Sequence, residues 1–79
     1  MPKWLKCKIE KGMFSDEFTV TVRSSAGEEI AVFVPRRSAD DRTNRVQVKT
    51  FEHEGRTIAV LPDEHQSTVD VNAGDLQPA

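Results

Sequence analysis

FTVTVRSSAGEEIAVFV, residues 18–34, is the stretch that decides the fold. Phe18, Val20 and Val22 alternate with Thr19, Thr21 and Arg23, and Ile30, Val32 and Val34 resume the same spacing after a polar break. Successive side chains of a strand point to opposite faces, so each run offers one apolar face to a core. The break, Ser24-Ser25-Ala26-Gly27, has the composition of a turn. A hairpin folded about it sets Phe18 opposite Val34, Val20 opposite Val32 and Val22 opposite Ile30. Apolar cross-strand pairs of this kind are what stabilise a sheet. Ile30–Val34 carries no charge and has the high β-propensity of an aggregation-prone segment. That composition predicts a central strand, shielded on both sides.

The same period of two runs outward from this hairpin. Leu5, Cys7 and Ile9 alternate with Lys6, Lys8 and Glu10, and the pairs Val46/Val48, Ile58/Val60 and Val69/Val71 repeat it. Lys11-Gly12, Glu52-His53-Glu54-Gly55, Pro62-Asp63-Glu64 and Ala73-Gly74-Asp75 separate the runs, with Gly55 suited to a positive φ. No window carries apolar residues at the i, i+3, i+4, i+7 spacing of a helix over three turns. The fold class is therefore all-β, five to six short antiparallel strands in one domain spanning 1–79, with a frayed tail at about 76–79. Strands so few and short cannot build two large sheets. Closing them into a small barrel removes the edges that would otherwise recruit other chains.

The order of strands, the longer loop after the third, and the ending GRTIAVLPDEHQSTVDVNAGDL (residues 55–76) resemble SH3-like small barrels over most of the chain. The resemblance implies short strands closing around an interior filled by their own side chains. Peptide-binding members of that group line a groove with tyrosines and tryptophan. This chain has no tyrosine and one tryptophan, Trp4, so recognition of proline-rich peptides is not among the expectations.

Composition narrows the chemistry further. A chain of 79 residues buries only about 60% of its unfolded surface on folding, so small domains often add disulfides or a metal. One cysteine, Cys7, excludes an internal disulfide, and its strand position between lysines predicts a small buried hydrophobe. MPKWLKCKIE lacks the apolar run of a signal peptide, and no segment reaches the roughly 20 apolar residues that span a bilayer. These features point to the reducing cytoplasm and away from membranes. His53 and His65 both fall in turns among carboxylates, without the Cys/His spacing of a metal site. The serines at 15, 24, 25, 38 and 67 also fall in turns, with no activating context. Neither metal, cofactor nor catalysis is expected.

Two features bear on partners. Net charge is −2, yet segments 3–11 and 36–49 are basic and 50–79 is acidic. Between Val34 and Val46 lie Arg36, Arg37, Arg42 and Arg45, interrupted by Asp40 and Asp41, which makes this loop a candidate contact surface or a self-neutralised connection. Phe33, Phe51 and Trp4, with Ala31, Ala59 and Leu61, fall out of phase with the core positions. Gathered on one outer face they would form an apolar contact patch. The leading expectation is a non-enzymatic protein–protein interaction or accessory domain, as a homodimer or with another protein. The alternative is a single-stranded nucleic-acid binder that tracks phosphates with the basic segments and stacks bases on Trp4, Phe33 or Phe51.

Overall fold

The computed structural model describes residues 3–78. Nine strands appear in chain order: β1 (Lys3–Lys6), β2 (Lys8–Lys11), β3 (Glu17–Arg23), β4 (Glu29–Pro35), β5 (Ala39–Asp40), β6 (Arg45–His53), β7 (Arg56–Val60), β8 (Thr68–Val71) and β9 (Leu76–Pro78). Short 3-10 turns cover Arg36–Ser38 and Ala73–Asp75, and no α-helix occurs among the described residues. The all-β expectation holds, with more strands than six because the first run divides at Cys7 and two short segments, β5 and β9, add pairing of their own.

The strands form two antiparallel sheets. One has the order β8-β7-β6-β1-β9, with β5 paired to the start of β6; the other has the order β2-β3-β4. The chain crosses between them at Cys7, where β1 passes into β2 and the Cys7 N–H donates to the Asn44 carbonyl at 3.0 Å. On the opposite side no ladder joins β4 to β8 among the described residues. The Ser25 N–H, donating to the Asp70 carbonyl at 2.7 Å, ties the β3–β4 turn to β8 at that point. No ladder joins the two sheets among the described residues, so the closed wall expected from the sequence is not formed by strand pairing.

The β3–β4 hairpin has the expected register, with Phe18 opposite Val34, Val20 opposite Val32 and Val22 opposite Ile30. The core lies between the sheets. Phe18, Val20, Val22 and Val34 meet Leu5, Val46, Val48, Ala59, Leu61, Val69 and Val71, with Cys7, Ile9 and Ile30 packed against them.

Three expectations fail. First, β7 faces the other way: Ala59 and Leu61 are buried, whereas Ile58 and Val60 are only partly covered. The cause is the turn. His53 pairs with Arg56, so Glu54 and Gly55 alone make the loop, both at positive φ (51° and 76°), the backbone of a tight hairpin turn. That register puts Ala59 beside Thr50, on the face of Val46 and Val48. Second, residues 76–78 of the tail are paired: Leu76, Gln77 and Pro78 lie opposite Leu5, Trp4 and Lys3, and Ala79 lies outside the described residues. Third, β4 is an edge strand and not a central one.

Gly12 sits where the chain turns from β2 towards β3. A Cβ there would lie 2.7 Å from both the Glu17 carbonyl oxygen and Cγ, so this approach requires glycine.

Candidate functional site

The directions of the backbone groups of β4 follow from its two ends. The Ser24 N–H donates to the Glu28 carbonyl (2.8 Å) and the Arg36 N–H to the Asp16 carbonyl (3.0 Å). Antiparallel ladders alternate between hydrogen-bonded and non-hydrogen-bonded pairs. Even-numbered residues from Glu28 to Arg36 therefore turn their N–H and C=O towards β3. Glu29, Ala31 and Phe33 turn both groups outward, to the free edge. Pro35 presents only a carbonyl there, as befits a proline confined to an edge.

Three large apolar side chains are exposed around this edge, among charged ones. Phe33 faces outward opposite Thr19 and is 53% exposed. Met13 and Phe14, in the turn after Gly12, are 80% and 67% exposed. A groove alongside β4 is lined by Val32, Phe33, Met13 and Phe14, and by Pro62 and His65 of the loop after β7. Exposed edge strands are normally blunted by charge, a bulge or a covering element. Ile30–Val34 has none of these devices within it. Met13 and Phe14 escaped the sequence reading, although two large apolar residues in a turn were a visible signal.

The three off-phase aromatics do not converge. Phe33 belongs to the three-stranded sheet, whereas Trp4 and Phe51 lie on the outer face of the larger one. There Phe51, 49% exposed, pairs with Ile58, and Trp4 pairs with Gln47. The Arg45 guanidinium lies 4.6 Å from the Trp4 ring centroid and donates to Gln77 Oε1 at 3.3 Å, so one tryptophan face is already covered. The other off-phase residues divide: Ala31 is exposed, Ala59 and Leu61 are core.

Nor do the loop arginines form one cluster. Arg36 stacks over Phe18 at 4.6 Å. Arg42 lies 3.8 Å from Asp40, and its N–H donates to Asp40 Oδ1 at 3.0 Å. That N–H, first among several contacts from Arg42 and Thr43, holds the Asp40 carboxyl below its ordinary range. Arg37 is exposed. Half of the segment is regular structure, since β5 pairs Ala39 with Val46 and Asp40 with Arg45. The two basic segments do meet: β1 pairs with β6, with Lys6 opposite Arg45.

Cys7 is partly covered, and burial pushes its thiol from near 9 up to about 12. The thiol is mostly neutral in both folded and unfolded chains well below pH 9. Above that the unfolded chain ionises first, so stability falls as pH rises from about 9 towards 12. Native protein at pH 8 is expected to react with an aromatic disulfide reagent at least about tenfold more slowly than the chain unfolded in urea, monitored by thiolate release.

His53, which ends β6 and is not in a turn as expected, and His65, in the loop after β7, are both exposed, and His53 Nε2 lies 4.0 Å from Glu54 Oε2. No group of three metal-ligating side chains occurs among the described residues. The buried carboxylate in this region, Asp63, is engaged by Ser67 through its N–H (2.7 Å) and its hydroxyl (2.6 Å). No described helix is long and apolar enough to cross a membrane. No family model, curated protein or solved structure matches this chain.

Proposed function

We propose that this chain works by protein–protein contact and not by catalysis, and that its two sheets are the halves of a small SH3-like barrel left open at the seam beside β4. The observation that carries the reading is the free edge of β4: the uncharged segment Ile30–Val34, whose outward amides at Ala31 and Phe33 have no ladder partner, with exposed Phe33, Met13 and Phe14 around it. Such an edge gains hydrogen bonds by accepting another strand, and its side chains supply selectivity. The groove beside it is open and mixes apolar side chains such as Phe33, Met13 and Phe14 with charged ones such as Asp16, Arg37 and Glu64, which suits a polypeptide of mixed composition.

A photoreactive benzoylphenylalanine placed at position 33, with position 51 as the control, tests this in living cells that express the chain. Protein adducts are expected from position 33 and not from position 51. Adducts equal at both positions, or none at 33, would overturn the reading.

A second reading, binding of single-stranded nucleic acid, is favoured by one observation, the meeting of Lys6 and Arg45 beside Trp4. The stacked Arg45 and the Arg42–Asp40 pair leave fewer cations for phosphates than the sequence suggested. Fluorescence anisotropy with a labelled oligonucleotide at low salt is expected to show no binding at tens of micromolar protein. Binding that falls steeply with added salt would reverse the order of the two readings.

A further inference from the structure

Resting on that reading, we infer that the strand received by β4 is the β4 of a second copy of this chain, antiparallel to it, with the two-fold axis at Val32. The sequence across the edge is Glu28-Glu29-Ile30-Ala31-Val32-Phe33-Val34-Pro35-Arg36-Arg37: acidic at one end, basic at the other, uncharged between. Only the antiparallel arrangement puts unlike charges together. A parallel one sets glutamate against glutamate and arginine against arginine, which is destabilising. An isologous antiparallel contact also closes as a dimer, with no free copy of the same edge left over.

Centring the axis on Val32 brings Glu28 and Glu29 to the end of the partner strand, where the partner's Pro35 leads into the 3-10 turn that carries the partner's Arg36 and the partner's Arg37. Ala31 then lies opposite Phe33 of the partner subunit, so each large exposed ring lies over a small neighbour. The outward backbone groups fit the same register. The N–H of Ala31 donates to the carbonyl of the partner's Phe33, and the N–H of Phe33 to that of the partner's Ala31. The N–H of Glu29 donates to the partner's Pro35, whose missing N–H falls at the end of the ladder. Val32, whose own amide and carbonyl turn towards β3, becomes the non-hydrogen-bonded pair on the axis, where Cα atoms approach to about 4.5 Å. The two hairpins thereby join into one sheet of the order β2-β3-β4-β4-β3-β2, and the uncharged segment becomes central, as its composition demands.

The test combines mass, charge exchange and cross-linking on the full chain. Light scattering at up to about 0.5 mM is expected to show a dimer. A chain carrying Glu28→Arg with Glu29→Arg, and another carrying Arg36→Glu with Arg37→Glu, are each expected to be monomeric alone and to form a heterodimer when mixed. Circular dichroism establishes that each is folded. In a Cys7→Ser background, Val32→Cys is expected to oxidise to a disulfide-linked dimer at least about tenfold faster than Ala31→Cys or Phe33→Cys, whose like residues are offset along the ladder.

Fastest cross-linking at 31 or 33 overturns the register. A folded wild-type chain that stays monomeric at 0.5 mM overturns self-pairing. The photo-adduct at position 33 then separates the two claims: an adduct of another mass keeps the contact reading, and no adduct ends both. If the charge-exchanged chains do not fold, exposed Phe33→Lys serves instead. It is expected to weaken the dimer at least about tenfold, and an unchanged dimer would overturn the proposal.

Discussion

Leu61→Ala is expected to lower the free energy of unfolding by about 2–5 kcal/mol, and Ile58→Ala by less than half as much, in urea titrations at 25 °C. Leu61 is 1% exposed between the two sheets, in contact with the core that Leu5, Val20 and Val46 build. Removing its isobutyl group deletes transfer free energy and leaves a cavity that two hydrogen-bonded sheets cannot readily collapse. Ile58 lies on the outer face opposite Phe51 and Asp70, where water already reaches it. Small domains hold only about 5–15 kcal/mol in total, so the leucine variant should be close to unfolding at 37 °C. Equal losses at the two positions would mean that β7 faces the core with its other side.

Asp63→Ala is expected to cost about 1–3 kcal/mol, an unusually large effect for a loop residue. Its carboxylate accepts the Ser67 N–H at 2.7 Å and the Ser67 hydroxyl at 2.6 Å, while its carbonyl accepts the Gln66 N–H at 3.1 Å. Gln66 is thereby held at φ 50°, in the left-handed region, and the Ser67 carbonyl is aimed at the Leu61 N–H, 2.8 Å away. Loss of the carboxylate leaves partly buried donors without partners and frees a loop whose anchor is Leu61. Asp63→Asn, which keeps one acceptor, should recover part of the loss. Urea unfolding measures the stability, and limited proteolysis should show new cleavage between 62 and 67 in the alanine variant. An alanine variant as stable as wild type would mean the loop is held by its ends alone.

What could be read beforehand differs from element to element, and the reasons are physical. The β3–β4 hairpin was legible because β3 alternates cleanly and the turn after it is short, so one register sets Phe18, Val20 and Val22 against Val34, Val32 and Ile30 even though Ile30–Val34 is apolar in both phases. The direction of β7 was not, because Ile58-Ala59-Val60-Leu61 is apolar in both phases and periodicity cannot choose. The deciding information lay in the parity of the loop: with β7 resuming at Arg56, an even-length turn pairs even-numbered positions of β6 with odd-numbered positions of β7, which puts Ala59 on the face of Val46 and Val48. Only an odd-length turn would exchange the faces. β9 carries only Leu76-Gln77-Pro78, too little pattern to announce a strand, and it forms because β1 offers it an edge.

The contact surface was half visible. Phe33 falls out of phase, and its exposure follows from parity alone. That β4 lacks a neighbour could not be read, because local pattern specifies which residues want to be strand and says nothing of how far the two sheets wrap around. Trp4 looked like a companion to Phe33, but its strand was assigned no sheet beforehand, and β1 joins the other one. The loop arginines looked like a cluster because sequence proximity hides direction. The 3-10 turn and β5 send Arg36 to Phe18 and Arg42 to Asp40, while the first residue of β6, Arg45, covers Trp4.

The pairing of Lys3 with Pro78 sets the two ends of the described chain side by side on one rim. A linker of a few residues would bridge them, so the module could be grafted as a unit into a surface turn of a host protein, or rewired with new ends opened at Glu54–Gly55. Cargo attached at either end would leave from the β1–β9 margin, on the other sheet from β4.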